Sequence, residues 1–188
     1  MIRIALVGEI GSGKTFVSKQ FKFPLFNADK EVDKIYKNNK DCFKKINRKF
    51  PDHIKKPPIL KSDLKKILNK KNIKIISRIV HPYVRINLNK FLKKNRLKKY
   101  VVLDIPLIIE NKLFKKKDIL IYVKTPQKVI TQRLKKRGTK SKKTIKFLKS
   151  QQAKNNKKIK LSNFTIDNRF GKKNVIKQIR EIIKKIND

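Results

Sequence analysis

Gly8-Glu9-Ile10-Gly11-Ser12-Gly13-Lys14-Thr15 matches the pattern G-x-x-x-x-G-K-[ST] at every fixed position, and few folds can house that turn. It needs a strand before it and a helix after it. Ile2-Arg3-Ile4-Ala5-Leu6-Val7 is a short, mostly apolar run that reads as a buried strand, and Phe16, Val17, Gln20 and Phe21 have helical spacing. Glycines let the backbone curl until successive N–H groups face one centre, and the positive end of the following helix adds to that nest. Such a nest holds a polyphosphate, with Gly8, Gly11, Ser12, Gly13, Lys14, Thr15 and Phe16 as the nucleotide-binding set. Lys14 is expected on the β- and γ-phosphate oxygens and the Thr15 hydroxyl on Mg2+. The competing reading is a glycine turn that merely precedes a helix; the complete motif with both flanks favours ATP or GTP.

The 188 residues suffice for one main domain with a real core, and apolar residues make up 38%, too many for a disordered basic tail. Lys and Arg number 54 against 13 Asp and Glu, a formal charge of +41, and only nine of the bases are Arg. Such charge raises nucleic acid, anionic membrane or a polyanionic small substrate as partners. The lysines are nevertheless spread along the chain, as in Lys93-Lys94 and Lys115-Lys116-Lys117, rather than gathered in one arm. With the abundance of Ile and Asn, this points to an A/T-biased genome and a solvated basic surface. Nucleic acid is not expected as a specific partner. Cys42 is the single cysteine, which excludes an internal disulfide and fits a reducing compartment. No apolar run is long enough to span a membrane, and the N-terminus enters a strand at once with no leader-like segment. A soluble cytoplasmic protein is expected.

Beyond the first helix, Pro24-Leu25-Phe26 is a short apolar run ending at Asn27-Ala28-Asp29. It reads as a second strand with polar residues at its carboxyl end, where open α/β sheets bind ligands. From Glu31 to about Arg96 the spacing is helical: Val32, Ile35 and Tyr36 share a face, as do Leu64, Ile67 and Leu68. Pro51, Pro57 and Pro58 divide this segment, which is longer than a crossover needs and reads as a helical insertion. Tyr100-Val101-Val102-Leu103-Asp104 is the third strand, its pairing ended by Pro106, and Ile119-Leu120-Ile121-Tyr122-Val123 is the fourth. Thr125-Pro126 opens the next helix as N-cap and first helical residue, and that helix runs to about Arg137-Gly138. A Lys-rich helical stretch from Thr139 to about Lys160 leads to a fifth strand, Phe164-Thr165-Ile166-Asp167. Val175, Ile176, Ile179, Ile182, Ile183 and Ile186 then form the apolar stripe of a last helix. Alternating strands and helices predict an α/β protein of the P-loop NTPase class, with a five-stranded parallel sheet flanked by helices. Its core would comprise residues 1–30 and 98–188, with a lid at about 133–160 and the helical insertion at 31–97.

A phosphate loop alone does not separate a kinase from a GTPase or a motor. The chain has no Asn-Lys-x-Asp guanine-reading tetrapeptide, and a small chain with a helical insertion after strand two fits a metabolite- or nucleoside-kinase architecture. Phosphorylating an alcohol calls for a carboxylate beside the hydroxyl. Asp29 reads either as that base or as a helix cap, and Asp104 either as a magnesium-ordering strand-end acid or as a plain turn residue. Arg133 and Arg137 lie four apart on one helix face, where they could neutralise charge on a transferring phosphoryl group or simply be surface arginines. In a chain dominated by Lys, two Arg at this point favour the first, because only Arg offers a planar bidentate fork. His53 and His81 are too few for a zinc site.

Taken together, these stretches resemble the dephospho-CoA kinase family over about residues 3 to 170. The likeness rests on Leu6 to Thr15, then Asn27-Ala28-Asp29 where the family reads Asp-Ala-Asp, then His81-Pro82-Tyr83-Val84. It continues through Asp104-Ile105-Pro106-Leu107-Ile108-Ile109-Glu110, Arg133-Leu134-Lys135-Lys136-Arg137, Gln152, Lys158 and Ile166-Asp167-Asn168. The loop is generic; the ordered series is far more specific. The resemblance implies ATP- and Mg2+-dependent phosphorylation of the ribose 3′-hydroxyl of dephospho-CoA. It implies Asp29 as base, Lys14 and Thr15 on phosphates and metal, and Arg137 with Arg133 in the closing lid. It further implies the insertion as the CoA-binding domain, with His81, Pro106, Leu107 and Glu110 near the acceptor and Asn168 near adenine. Departures are Glu9 where the family has a second Gly, Asn27 for Asp, Ser162-Asn163 for Ala-Asp, and a shortened insertion around Phe50-Pro51. The rivals are another small-metabolite or nucleotide kinase, and a basic nucleic-acid-binding protein using its loop as a nucleotide switch. Bound RNA without turnover would favour the latter.

Overall fold

Runs of β-branched and aliphatic residues form β1 (Ile2–Val7), β2 (Leu25–Asn27), β3 (Tyr100–Asp104), β4 (Ile119–Lys124) and β5 (Phe164–Asp167) in a computed structural model that describes residues 1–67, 69–136 and 149–188. The strands pair in parallel in the order β2-β3-β1-β4-β5. The chain therefore passes over β3 to reach β2, and later over β1 to reach β4. That reversal makes the carboxyl end of β1 the switch point at which sheets of this kind bind ligands. In chain order the helices are α1 (Lys14–Gln20), α2 (Ala28–Asn38), α3 (Lys40–Lys49), α4 (Lys61–Lys66), α5 (Lys70–Lys94), α6 (Gln127–Lys136), α7 (Asn155–Leu161) and α8 (Gly171–Asn187). The chain divides into two compact units, Met1–Asn27 with Leu97–Asp188, and Ala28–Arg96.

In the first unit both faces of the sheet are covered, so its strands are continuous apolar runs rather than alternating ones. Ile4, Leu6, Val102, Ile121, Val123 and Ile166 face Val17 and Phe21 of the α1 region and Val175, Ile179 and Ile182 of α8, all buried together. Burying each large aliphatic side chain contributes about 2 kcal/mol. The apolar stripe read from residues 175–186 is thus the face α8 presents to the sheet. Arg3 is the polar exception in β1: it donates to Asp118 Oδ2 at 2.7 Å, with both side chains nearly buried. Asp118 also accepts from the Lys115 N–H, which fixes the turn leading into β4.

The second unit has its own core. Ile35 of α2, Cys42 and Ile46 of α3, Leu64 of α4, and Ile76 and Val80 of α5 pack with Ile54, Ile59 and Ile67 of the connections. Asn39 and Asn69 cap α3 and α5, each side chain accepting from the N–H three residues on. Of the predicted Leu64–Ile67–Leu68 face, Leu68 lies outside the described residues.

Two local readings change. The helix predicted from Thr125-Pro126 starts at Gln127: the first helical bond runs from Ile130 N–H to the Pro126 carbonyl, and Thr125, one residue earlier, donates its hydroxyl to the Ser12 carbonyl. The stretch read as helical to about Lys160 contains a turn and irregular residues before α7 begins at Asn155, and its residues 139–148 lie outside the described ones.

Candidate active site

β1, the middle strand, ends at Val7, and the chain must turn sharply at the carboxyl end of the sheet before α1 can start. Gly8 has φ 148°, and a Cβ there would stand 2.9 Å from the Val123 carbonyl oxygen. Gly13 caps α1 at φ 92°, where a Cβ would run into the side-chain amide of Asn168. Only glycine satisfies both the dihedral and the space at these positions. Ser12 N–H donates to Glu9 O (3.1 Å), and Lys14 Nζ donates to the carbonyls of Gly8 (3.1 Å) and Glu9 (2.9 Å), so the ammonium lies across the loop.

Three donors converge on the Ser12 carbonyl: Asn168 Nδ2 (2.8 Å), Thr125 Oγ1 (2.9 Å) and Arg133 Nη1 (3.0 Å). Arg133 Nη2 also reaches Asn168 O (3.1 Å), and Asn168 N–H donates to Lys124 O (2.9 Å). The ends of β4 and β5 and the helix α6 thus clamp one peptide of the loop. In a trans peptide the next N–H points opposite to that carbonyl, so the clamp also aims the Gly13 N–H. Ser12 Oγ and Asn168 Oδ1 are buried without a hydrogen-bond partner among the described residues. Leaving such groups unsatisfied costs about 1–3 kcal/mol each, which a ligand with complementary polar atoms recovers.

At the head of α1, Thr15 Oγ1 donates to Asp104 Oδ2 at 2.6 Å, and Asn27 Nδ2 donates to the same oxygen at 2.7 Å. Asp104 is only 4% exposed. A hydroxyl and a carboxylate adjoining a phosphate loop are hard oxygen donors that fit Mg2+, which is commonly held by one or two protein oxygens together with substrate phosphates.

The outer side of the loop carries a second cluster. Glu9 accepts from Asn155 Nδ2 (2.6 Å) and lies 3.9 Å from Lys149 Nζ, while the Ile10 N–H donates to Gln152 Oε1 (3.1 Å). Glu110 accepts from the Ala153 N–H (2.7 Å) and pairs with Lys158 Nζ at 3.7 Å. Burial, then the Glu9 carboxylate, pushes the Tyr122 phenol above its ordinary value.

Gly8, Gly11, Ser12, Gly13, Lys14 and Thr15 are therefore gathered with Asp104, Arg133 and Asn168 in one unit. Phe16, 38% exposed, follows on α1. Pro106 is exposed, Leu107 is half-buried with a left-handed φ of 55°, and Glu110 closes the same turn. Asp29 and His81 belong to the helical unit. Asp29 is in the first turn of α2, which starts at Ala28, so it lies inside the helix rather than capping it. His81 is on α5, its imidazole held below the ordinary value by burial and then by Arg85. Arg137 lies outside the described residues. The sequence carried no sign of Thr125 as a loop clamp or of Asn155 as a partner of Glu9; both roles arise only when distant segments meet.

A family model described as dephospho-CoA kinase matches residues 2–174. A dephospho-CoA kinase of Ehrlichia canis is 31% identical over 196 residues, covering 100% of this chain and 98% of its own. Among solved structures, one of a Thermus thermophilus protein superposes with a TM-score of 0.80 at 21% identity, covering 100% of this chain and 98% of that one. Dephospho-CoA kinase from Campylobacter jejuni superposes at 0.67 with 22% identity, covering 98% and 96%. At those identities the structural likeness speaks for the fold, a five-stranded P-loop kinase sheet. With a family match running nearly end to end, and the loop, strand-end acid and arginine clamp in place, the chain belongs to the dephospho-CoA kinase family, whose function is phosphorylation of dephospho-CoA.

Proposed function

We propose that this chain transfers the γ-phosphoryl group of ATP to the ribose 3′-hydroxyl of dephospho-CoA, as a cytoplasmic enzyme using Mg2+. The observation that carries this reading is the Ser12 carbonyl held by Asn168, Thr125 and Arg133, which fixes in advance the peptide that would bind phosphate. Lys14 would leave the loop carbonyls for the β- and γ-phosphate oxygens, and Ser12 Oγ would donate to a phosphate oxygen. Thr15 and Asp104 are the residues to hold Mg2+, which when bound neutralises phosphate charge. Asp29 would take the proton of the 3′-hydroxyl as its oxygen bonds to the γ-phosphorus and the bond to the β–γ bridging oxygen breaks, releasing ADP. Arg133, with Arg137, would balance charge on the phosphoryl group in flight within a lid at about 133–160. Asn168 would lie beside adenine. His81, Pro106, Leu107 and Glu110 would contact the acceptor, and the helical segment 31–97 would supply its binding domain. No helix among the described residues is long and apolar enough to cross a membrane.

The test is Asp29→Asn. Its kcat should fall about 10²-fold or more while ATP affinity changes little. Steady-state kinetics with a nucleotide titration decide it, and unchanged turnover would leave Asp29 as a helix-end carboxylate without a chemical role.

A further inference from the structure

Lys158 is 2% exposed, and its ammonium has no hydrogen-bond partner among the described residues. It sits on α7, with Glu110 Oε1 at 3.7 Å. An ammonium is seldom buried without compensation, so its surroundings call for an explanation. Glu9 supplies one. It projects from the phosphate loop, where its own backbone carbonyl accepts from Lys14, and its carboxylate is held by Asn155 and faced by Lys149. A negative charge there opposes the binding of any polyphosphate. Among the described residues, the carboxylates of Glu9 and Glu110 are paired with the ammoniums of Lys149 and Lys158, so the formal charges of these four groups sum to zero.

We infer that Lys158 is a positioning residue whose buried cation, through Glu110 and Glu9, cancels the carboxylate that this chain carries on its phosphate loop. Both carboxylates act on the ammonium and favour its charged form, against the burial that pulls its pKa down. The inference rests on the loop being the ATP site.

The test is ATP affinity by equilibrium titration of the whole protein without acceptor. Lys158→Met leaves the cluster one charge negative and should weaken ATP about tenfold. Adding Glu9→Gln to that variant restores neutrality and should bring affinity back to within about threefold of wild type. Glu9→Gln alone leaves the cluster one charge positive and should tighten ATP; this arm reads the same charge balance even where Lys158→Met does not fold. Wild-type affinity in Lys158→Met, a double variant as weak as the single one, or Glu9→Gln binding no tighter than wild type would each overturn the inference. A wild-type protein that fails to bind ATP would instead sink the nucleotide reading beneath it.

Discussion

Asn27 is a position that the resemblance sets against an aspartate, and its amide donates to the Asp104 oxygen that also receives the Thr15 hydroxyl. A carboxylate at position 27 would bring two like charges into hydrogen-bond range, which requires a shared proton or a cation between them. Asparagine turns that repulsion into a donor. Asn27→Asp should therefore lower stability by about 1–3 kcal/mol in metal-free buffer and regain much of it in Mg2+; thermal melts with and without Mg2+ check this, and melts that ignore Mg2+ would contradict it. Asn163, also set against an aspartate by the resemblance, differs: its side-chain carbonyl accepts from Leu120 N–H, a bond that an aspartate oxygen could equally make. At this scale the sequence revealed residues whose role is local. Gly8 and Gly13 were legible because a turn demands glycine wherever the rest of the chain lies. Thr125 and Asn155 were not, because what their side chains bond to lies more than a hundred residues away.

The strands were legible because their apolar runs are short and bounded by polar residues, β-branched in β3 and β4 though not in β2. The start of α6 was off by one residue: the Pro126 carbonyl accepts the first helical bond, and Thr125 stands just before it with its hydroxyl donated to Ser12 O. Periodicity also gave no hint of the Arg3–Asp118 pair, which breaks the apolar run of β1 and ties it to the turn before β4. Removing one partner strands a buried charge, so Asp118→Ala should cost about 3 kcal/mol in urea unfolding. A loss under about 1 kcal/mol would mean that water already reaches the pair. In the helical unit, burial pushes the Cys42 thiol from 9.0 up to about 11. It likewise pushes the Tyr36 phenol from 10.0 up to about 12, with Cys42 and then Asp33 adding to the shift. The folded unit holds these protons more tightly than the unfolded chain, so their stabilisation is complete below pH 9.0 and lost as pH climbs toward about 11 to 12. Cys42→Ala lacks the thiol's share. Its deficit against wild type in urea should shrink across that window, and a deficit independent of pH would contradict the assignment.

For the molecule as a whole, the order of β2-β3-β1-β4-β5 brings the phosphate loop, Asp104, the α6 arginine and Asn168 to the carboxyl ends of the strands. The alternation of strands and helices predicted the parallel sheet, while the strand order had to come from the pairing itself. The net charge of +41 attracts anionic substrates without specifying which. Acceptor identity is thus the claim on which the account turns. The most direct measurement is ADP release from ATP and Mg2+ by the whole protein with dephospho-CoA, set against CMP, AMP, shikimate and no acceptor. The account predicts turnover with dephospho-CoA far above every other arm; equal rates across the panel, or a faster rate with another acceptor, would contradict it.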